Sequence, residues 1–146
     1  MRPPEKPRVL FLCTGNACRS QMAEGWARHL WGDRLEPWSA GVLPCFVHPD
    51  AVAVMAEAGV DLSGHWSKHV EELMHLDFDL VVTVCDLARE RCPVLPGAAR
   101  TIHHSFEDPV GAEGTREEVL EAFRKTRDAI RAFVETLPSL LEPKDA

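Results

Sequence analysis

The sequence lacks a long apolar run, an excess of basic residues and an even number of cysteines. No stretch approaches the roughly 20 apolar residues that a membrane-spanning helix needs. The chain has 16 lysines and arginines against 23 aspartates and glutamates, for a net charge of −7. This charge argues against nucleic acid or an anionic membrane surface as a partner. An anionic ligand would therefore have to be attracted by a local site.

The first seven residues are rich in proline and charge, and no apolar segment typical of a secretory signal follows them. We therefore expect a cytoplasmic protein, in which five cysteines suit thiol chemistry or metal binding better than structural disulfides. At 146 residues the chain is long enough for one domain with a sizeable core. We expect this domain to cover residues 8–137, between loose tails at 1–7 and 138–146.

Strand and helix patterns alternate along the predicted domain. Strands are predicted at residues 8–12, 38–42, 80–84 and 100–103, and the first and third of these are continuous apolar runs. Helical patterns occupy residues 18–31, 49–58, 68–75 and 116–136. Ser67 is a predicted cap of the third helix, and Thr115 with Glu118 forms a predicted capping box on the fourth. The alternation predicts an α/β fold: a single domain with a four-stranded, mostly parallel sheet flanked by helices.

The strongest chemical signal lies in the stretch Cys13–Ser20, which we call the cradle. It joins the first predicted strand to the first predicted helix, a geometry that gathers backbone N–H groups around an anion. Those groups, the helix dipole and Arg19 all favour the thiolate of Cys13, and Arg19 can bind two anion oxygens with its planar guanidinium. The cradle thus predicts a nucleophile beside a bound tetrahedral oxyanion. The candidate anion-binding residues are Thr14, Gly15, Asn16, Ala17, Cys18, Arg19 and Ser20.

Two further cysteines follow the predicted strand at 80–84. Cys85 comes directly after that strand, so it can share the carboxyl edge of the sheet with Cys13. In a helix, the Cα atoms of Cys85 and Cys92 would lie roughly 10 Å apart, whereas a disulfide needs roughly 4.4–6.8 Å. The two can pair only if the helix unwinds, which makes residues 85–97 a candidate redox switch. A buried structural role and, with poorer spacing, a zinc site are the alternatives.

Asp108 precedes Pro109 in an acidic loop that could face the same edge of the sheet. A carboxylic acid held over the anion could protonate a leaving oxygen. The alternative is an Asp-Pro turn without a chemical role. Glu24, in the first helix, would either contact the cradle or be solvated, and the sequence assigns no role to Cys18 or Cys45.

Together these residues resemble the arsenate reductases that share the low-molecular-weight tyrosine phosphatase fold. The resemblance covers roughly residues 8–137 and rests on residues 13–25, 84–93 and 106–109. The cradle is common to reductases and phosphatases, so it is specific for the fold and the anion site and not for the reaction. The Cys85/Cys92 pair points to the reductases, as does Gln21, because the phosphatases usually have proline there.

The resemblance implies a cascade of three thiols that reduces arsenate to arsenite. Cys13 would attack arsenate while Arg19 and the loop amides hold the oxygens and Asp108 protonates the departing hydroxyl. Cys85 would then attack Cys13 and release arsenite, and Cys92 would attack Cys85. The final Cys85–Cys92 disulfide would be reduced by thioredoxin, with glutaredoxin or mycoredoxin as the alternative donors.

The resemblance also implies supporting roles and a possible metal site. Ser20 would hydrogen-bond the Cys13 thiolate, and Asn16 would fix the shape of the loop. Some family members bind potassium near the cradle. The positions that correspond to their ligands are Asn16, Glu24, Ser39 and Lys68. The last is an aspartate in the potassium binders, so we expect the ammonium of Lys68 to take the place of the ion and the chain to hold no metal or other cofactor.

The main alternative is a phosphatase acting on phosphotyrosine or aryl phosphates, since this needs only Cys13, Arg19 and Asp108. The absence of tyrosine removes one usual wall of a phosphotyrosine pocket, although Trp or Phe could replace it. A non-catalytic thiol sensor or metal-binding module would leave the Cys-x5-Arg-Ser pattern unexplained. We expect a monomer that binds arsenate and phosphate-like oxyanions.

Overall fold

The computed structural model describes residues 6–84 and 98–141. Residues 1–5, 85–97 and 142–146 lie outside the described part, and with them Cys85, Cys92 and the predicted redox switch. The strands are β1 (Arg8–Cys13), β2 (Glu36–Gly41), β3 (Leu80–Thr83) and β4 (Thr101–His103). The α-helices are α1 (Arg19–Trp31), α2 (Pro49–Glu57), α3 (Arg116–Val134) and α4 (Leu137–Leu141), with a 3-10 helix at Val70–Leu73.

The four described strands form one sheet in the order β2-β1-β3-β4, and every pair of neighbours is parallel. The predicted α/β fold is therefore confirmed. β1 is an inner strand whose residues from Val9 to Leu12 are completely buried, which explains their continuous apolar run. Cys13 pairs with Gly41 in the register, and Leu12 pairs with Thr83. The ends of β1, β2 and β3 therefore meet at the carboxyl edge of the sheet, as the sequence predicts.

The three longer helices pack on one another through α3. From α1, the Trp26 indole N–H donates to the carbonyl of Arg127 (3.1 Å), and the Trp31 indole N–H donates to that of Val134 (2.9 Å). The predicted capping box begins α3, because Thr115 Oγ1 accepts from the N–H of Glu118 at 3.1 Å. The buried stripe of α3 thus covers α1 and holds it against the sheet edge where the cradle begins.

The predicted helix over 68–75 is wrong, as is the predicted cap at Ser67. The structure has only the 3-10 helix Val70–Leu73, which begins at a capping box formed by His69 and Glu72. Val70 and Leu73 are three residues apart, so they lie on one face of a 3-10 helix, and both are buried. One turn is enough to bury them, and this leaves the Ser67 side chain for the cradle.

The predicted C-terminal tail also differs, because its first residues form α4. Leu137 is buried, and the carbonyl of Leu140 accepts a hydrogen bond from Arg100. The start of the predicted tail is therefore packed on the domain. No helix in the described ranges is long and apolar enough to cross a membrane.

Candidate active site

The cradle backbone is held from its outer side by the segment that follows β2. Backbone N–H groups donate from Leu43 to Thr14 (2.8 Å), from Cys45 to Gly15 (3.1 Å) and from His48 to Ala17 (2.8 Å). Asn16 has a φ of +49°, in the left-handed region that few residues other than glycine adopt. Anion-binding nests are built from successive backbone N–H groups in turns that combine right-handed and left-handed residues, and the left-handed Asn16 fits this type of loop.

Gly41 at the end of β2 allows this close packing. A Cβ atom at Gly41 would lie 2.7 Å from the carbonyl oxygen of Thr14 and 2.8 Å from the backbone nitrogen of Asn16. Both are backbone atoms, so neither could move aside as a flexible side chain would. Any residue other than glycine would therefore displace the cradle.

The candidate nucleophile Cys13 is buried at the end of β1. Its Sγ lies 2.9 Å from Ser20 Oγ, and Ser20 Oγ accepts a hydrogen bond of 2.8 Å from Asn16 Nδ2. Ser20 and Asn16 therefore have the contacts that the sequence-based resemblance implies. At Cys18, burial first and the nearby Cys13 second raise the pKa of the thiol far above the usual range. Cys18 thus remains a thiol at neutral pH.

The structure brings Arg19 and Asp108 together over the cradle. Arg19 Nη2 lies 3.3 Å from Asp108 Oδ2, and Arg19 Nη1 donates to the carbonyl of Phe106 at 3.0 Å. The guanidinium is largely buried and the Asp108 carboxylate is about half exposed (side-chain exposures of 14% and 52%). Arg19, the first residue of α1, thus links the cradle to the segment that carries Asp108, so the two side chains predicted for the site lie together.

Asp108 belongs to a segment, residues 106–110, that we call the acid loop. The N–H of Phe106 donates to the carbonyl of Val84 (3.3 Å), and Thr126 Oγ1 from α3 donates to the carbonyl of Glu107 (3.0 Å). Phe106 and Pro109 are buried, while Glu107 and Asp108 are exposed. The loop is therefore anchored by its backbone and apolar residues, and its carboxylates face solvent.

Val84 is the last described residue before residues 85–97. The N–H of Val84 donates to the carbonyl of Leu12 at 2.8 Å, and its own carbonyl accepts from Phe106. The residue before Cys85 is therefore bonded on one side to the strand that ends in Cys13 and on the other side to the acid loop. Cys85 and Cys92 themselves lie outside the described residues.

Two side chains outside the cradle, the buried Gln21 and the half-buried Ser67, bond to its backbone, and sequence reasoning missed their role. Gln21 Nε2 lies 3.0 Å from both Asn16 O and Asn16 Oδ1. Ser67 Oγ donates to Asn16 O at 2.7 Å and to Gly15 O at 3.1 Å. In the sequence, Gln21 could have been recognised as a polar residue within the apolar pattern of α1. Ser67 gave no such signal, because a serine before a helical pattern is equally typical of a cap.

Exposed apolar side chains lie on several segments near the cradle and the acid loop. In the described ranges the large exposed hydrophobic residues are Leu43, Phe46, Trp66 and Val110, which we call the apolar rim. Leu43 donates to the cradle backbone, the Phe46 ring stacks on His48, and the carbonyl of Trp66 accepts from Gln21. The N–H of Val110 donates to Asp108 Oδ1 at 3.0 Å. The rim therefore lies on segments that touch the cradle or the acid loop.

A cavity of about 510 Å³ lies behind the cradle, lined by Glu24 and Lys68 among others. Glu24 is buried and accepts hydrogen bonds of 2.6 Å from Ser39 Oγ and from Arg28. The Lys68 ammonium donates to the carbonyl of Trp66 and lies 4.8 Å from the centroid of the Trp66 ring. Burial lowers the pKa of Lys68, and the nearby Glu24 partly opposes this effect.

These residues do not fit a bound potassium ion. The carboxylate of Glu24 already has two partners, and the cavity that it lines already contains a buried ammonium. Lys68 and Arg28 therefore both supply positive charge beside Glu24.

Comparisons with known proteins agree with the fold and with the motifs. The family description "Low molecular weight phosphotyrosine protein phosphatase" matches residues 8–144. An arsenate reductase of Halalkalibacterium halodurans is 44% identical over 131 residues, which cover 90% of this chain and 94% of that protein. An arsenate reductase of Bacillus subtilis is 42% identical over 136 residues, which cover 90% of this chain and 98% of that protein.

Solved structures extend the comparison. The structure described as "An arsenate reductase in the phosphate binding state" matches with a TM-score of 0.75 and 34% sequence identity. The match covers 93% of this chain and 99% of that one. The chain therefore belongs to the low molecular weight phosphotyrosine protein phosphatase family, and within it is similar to proteins named arsenate reductases.

Proposed function

We propose that this protein reduces arsenate to arsenite through a relay of three thiols, Cys13, Cys85 and Cys92. The observation that carries the proposal is the position of Cys13, which lies in an oxyanion-binding loop together with Arg19 and below Asp108. The identity of 42–44% to proteins named arsenate reductase, over 90% of the chain, supports the choice of reaction.

In the first step the Cys13 thiolate attacks the arsenic atom of arsenate. Arg19 binds two of the oxygens with its planar guanidinium, and the N–H groups of the cradle bind the others. Asp108 gives a proton to the departing hydroxyl, which leaves as water. The product is a Cys13 thioester of arsenate, in which arsenic is still in the +5 state.

In the second step Cys85 attacks the sulfur of Cys13. The electron pair of the sulfur–arsenic bond stays on arsenic, which becomes arsenic(III) and leaves as arsenite, while a Cys13–Cys85 disulfide forms. The hydrogen bonds of Val84 support this step, because they hold the residue before Cys85 between β1 and the acid loop. Phosphate could form the same adduct, but phosphorus would not accept the electron pair, so that adduct could only be hydrolysed.

In the third step Cys92 attacks Cys85 and frees the Cys13 thiolate for another cycle. A dithiol protein then reduces the Cys85–Cys92 disulfide, and we propose thioredoxin as this donor, with glutaredoxin or mycoredoxin as alternatives. The apolar rim supports a protein partner at this edge, because exposed hydrophobic patches are typical of protein contacts. Since the relay needs reduced thiols, we also propose that the protein works in the cytoplasm.

The test is arsenate-dependent oxidation of NADPH in the presence of thioredoxin and thioredoxin reductase. Cys13→Ser, Cys85→Ser and Cys92→Ser should each lose turnover, because each removes one thiol of the relay. Cys45→Ser is the matched control, since Cys45 is exposed and outside the relay, and it should keep turnover. Undiminished turnover of Cys92→Ser would refute the third step. A higher rate with glutaredoxin or mycoredoxin than with thioredoxin would identify that protein as the electron donor.

Hydrolysis of aryl phosphates is a second candidate activity, favoured by the contact between Arg19 and Asp108 at the mouth of the cradle. It requires Cys13, Arg19 and Asp108 but neither Cys85 nor Cys92. Cys85→Ser and Cys92→Ser should therefore keep any hydrolysis of para-nitrophenyl phosphate that the wild type has, while Cys13→Ser loses it. A parallel loss in all three variants would exclude this activity as a separate function.

A further inference from the structure

Gln21 is completely buried, although glutamine is usually an exposed residue. Its amide nitrogen lies within hydrogen-bond distance of Asn16 O (3.0 Å), Asn16 Oδ1 (3.0 Å) and Trp66 O (3.1 Å). Its amide oxygen lies 2.9 Å from His65 Nδ1. The polar atoms of this side chain are therefore all engaged, and two of the contacts are with one cradle residue.

The orientation of the Gln21 amide follows from its partners. The carbonyl oxygens of Asn16 and Trp66 can only accept hydrogen bonds, so the amide nitrogen must face them. The amide oxygen then faces His65, and the His65 ring must carry a hydrogen on Nδ1. Burial lowers the pKa of His65, so the ring is neutral at pH 7 and the hydrogen on Nδ1 fixes its tautomer.

The orientation of the Asn16 amide follows in the same way. Its Oδ1 accepts from the backbone N–H of Lys68 (2.8 Å), which can only donate, and from Gln21. Its Nδ2 must therefore donate to Ser20 Oγ. A thiolate can only accept, so the hydrogen of the Ser20 hydroxyl points to Cys13 when that residue is ionised. Gln21 thus donates to Asn16, Asn16 donates to Ser20, and Ser20 donates to the Cys13 thiolate.

We propose that Gln21 is a positioning residue of the active site, which holds Asn16 so that Ser20 donates its hydrogen bond to the Cys13 thiolate. Gln21 bonds both to the side chain and to the carbonyl of Asn16, the residue with left-handed backbone geometry. Without Gln21, among the described residues Asn16 Oδ1 keeps only the N–H of Lys68 and the Asn16 carbonyl keeps only Ser67, so the amide that donates to Ser20 is held by fewer hydrogen bonds. The inference rests on the proposed role of Cys13 as the nucleophile.

The test compares Gln21→Met with wild type. Methionine has a similar length and no strong hydrogen-bonding group. The readout is the rate at which iodoacetamide alkylates Cys13 as a function of pH, scored for Cys13 alone by mass spectrometry of the reduced protein. Loss of a well-directed hydrogen bond to the charged thiolate should reduce the fraction of Cys13 that is ionised. At pH values below the midpoint of the wild-type profile, the alkylation rate should therefore fall about tenfold. Arsenate kcat/KM should fall by a similar factor.

Ser39→Ala is the matched control, because it also removes a buried hydrogen bond to α1, at Glu24, but touches no cradle residue in the described ranges. Its alkylation profile should equal that of wild type. The Gln21→Met effect should also become much smaller in a Ser20→Ala background, because the hydroxyl through which Gln21 acts is then absent. A role of Gln21 in folding alone would give the same effect in both backgrounds and would overturn the proposal.

Gln21→Glu keeps the size of the side chain and an acceptor for His65, so it provides a second variant if Gln21→Met does not fold. It should shift the midpoint of Cys13 alkylation to higher pH, and a wild-type profile in this variant would overturn the proposal. Alkylation needs neither arsenate nor thioredoxin. A shifted profile together with absent arsenate turnover in wild type would therefore contradict the proposed function and leave this inference standing.

Discussion

The floor of the cradle, formed by Asn16, Ser20 and Gln21, contrasts with the acid loop above it. The three floor residues are completely buried, and their hydrogen bonds have fixed directions. In the acid loop, Asp108 has a side chain that is 52% exposed and lies 3.3 Å from Arg19. The nucleophile is thus held by buried hydrogen bonds, whereas the candidate acid lies in an exposed loop of the same site.

The difference follows from what each group must do. A thiolate is stabilised best by donors that are already oriented in a medium of low dielectric constant, because no reorganisation is then needed. A general acid must collect a proton in every cycle, and an exposed carboxylate can take one from water. Changes to the floor should therefore alter Cys13 in the absence of substrate, whereas changes to the acid loop should alter turnover alone.

Arg19 is a cradle residue that also contacts the acid loop, so its replacement should have the largest effect. Arg19→Lys loses the planar guanidinium that can bind two oxygens and also bonds Phe106. We expect arsenate kcat/KM to fall about 1,000-fold, since two charge-assisted hydrogen bonds are lost. Arg28→Lys is the control, because Arg28 pairs with Glu24 away from the cradle mouth. Near-normal kcat/KM in Arg19→Lys would mean that charge alone binds the anion.

Asp108→Asn should have the next largest effect. We expect kcat to fall about 100-fold with a small change in KM, because general acid catalysis is lost while the anion site is kept. The alkylation profile of Cys13 should stay close to that of wild type. Glu107→Gln, which changes the neighbouring exposed carboxylate, should keep kcat. A wild-type kcat in Asp108→Asn would assign the proton to another donor.

Thr126→Val should have a smaller effect, because it removes an anchor of the acid loop and leaves Asp108 in place. We expect kcat to fall a few-fold and the free energy of unfolding to fall by about 1 kcal/mol, the usual cost of one hydrogen bond. Thr136→Val is the control, since Thr136 makes the same kind of bond to Phe133 at the exposed end of α3. An equal loss of kcat in both variants would show that the anchor at Glu107 does not position Asp108.

The sequence was informative where the chemistry is local. The cradle, its strand and its helix are contiguous, so the spacing of Cys13 and Arg19 predicts their arrangement. The sheet follows from the apolar runs, because a parallel strand buried on both faces leaves a continuous apolar pattern. The meeting of Asp108 with Arg19 could be proposed because both lie at the carboxyl edge of strands.

Contacts that join distant segments left no comparable pattern. Ser67 bonds to the cradle, although a serine at that position equally suits a helix cap. The close approach of Gly41 to Thr14 depends on the pairing register of β1 and β2, which the sequence does not specify. Thr126 lies on the buried side of α3, and its single hydrogen bond to the acid loop is not visible in a pattern of apolar residues.

The smallest expected effect is that of potassium on turnover, which tests the charges of Glu24 and Lys68 in the cavity behind the cradle. Because the Lys68 ammonium and Arg28 already balance Glu24, replacing potassium chloride by choline chloride at equal ionic strength should leave arsenate kcat/KM of wild type unchanged. Lys68→Asp would put two carboxylates in one cavity, and like charges this close require a cation. Potassium should therefore activate Lys68→Asp. Activation of wild type by potassium would mean that the Lys68 ammonium does not substitute for the ion. Equal rates of Lys68→Asp in both salts would mean that the charge in this cavity does not affect catalysis at the cradle.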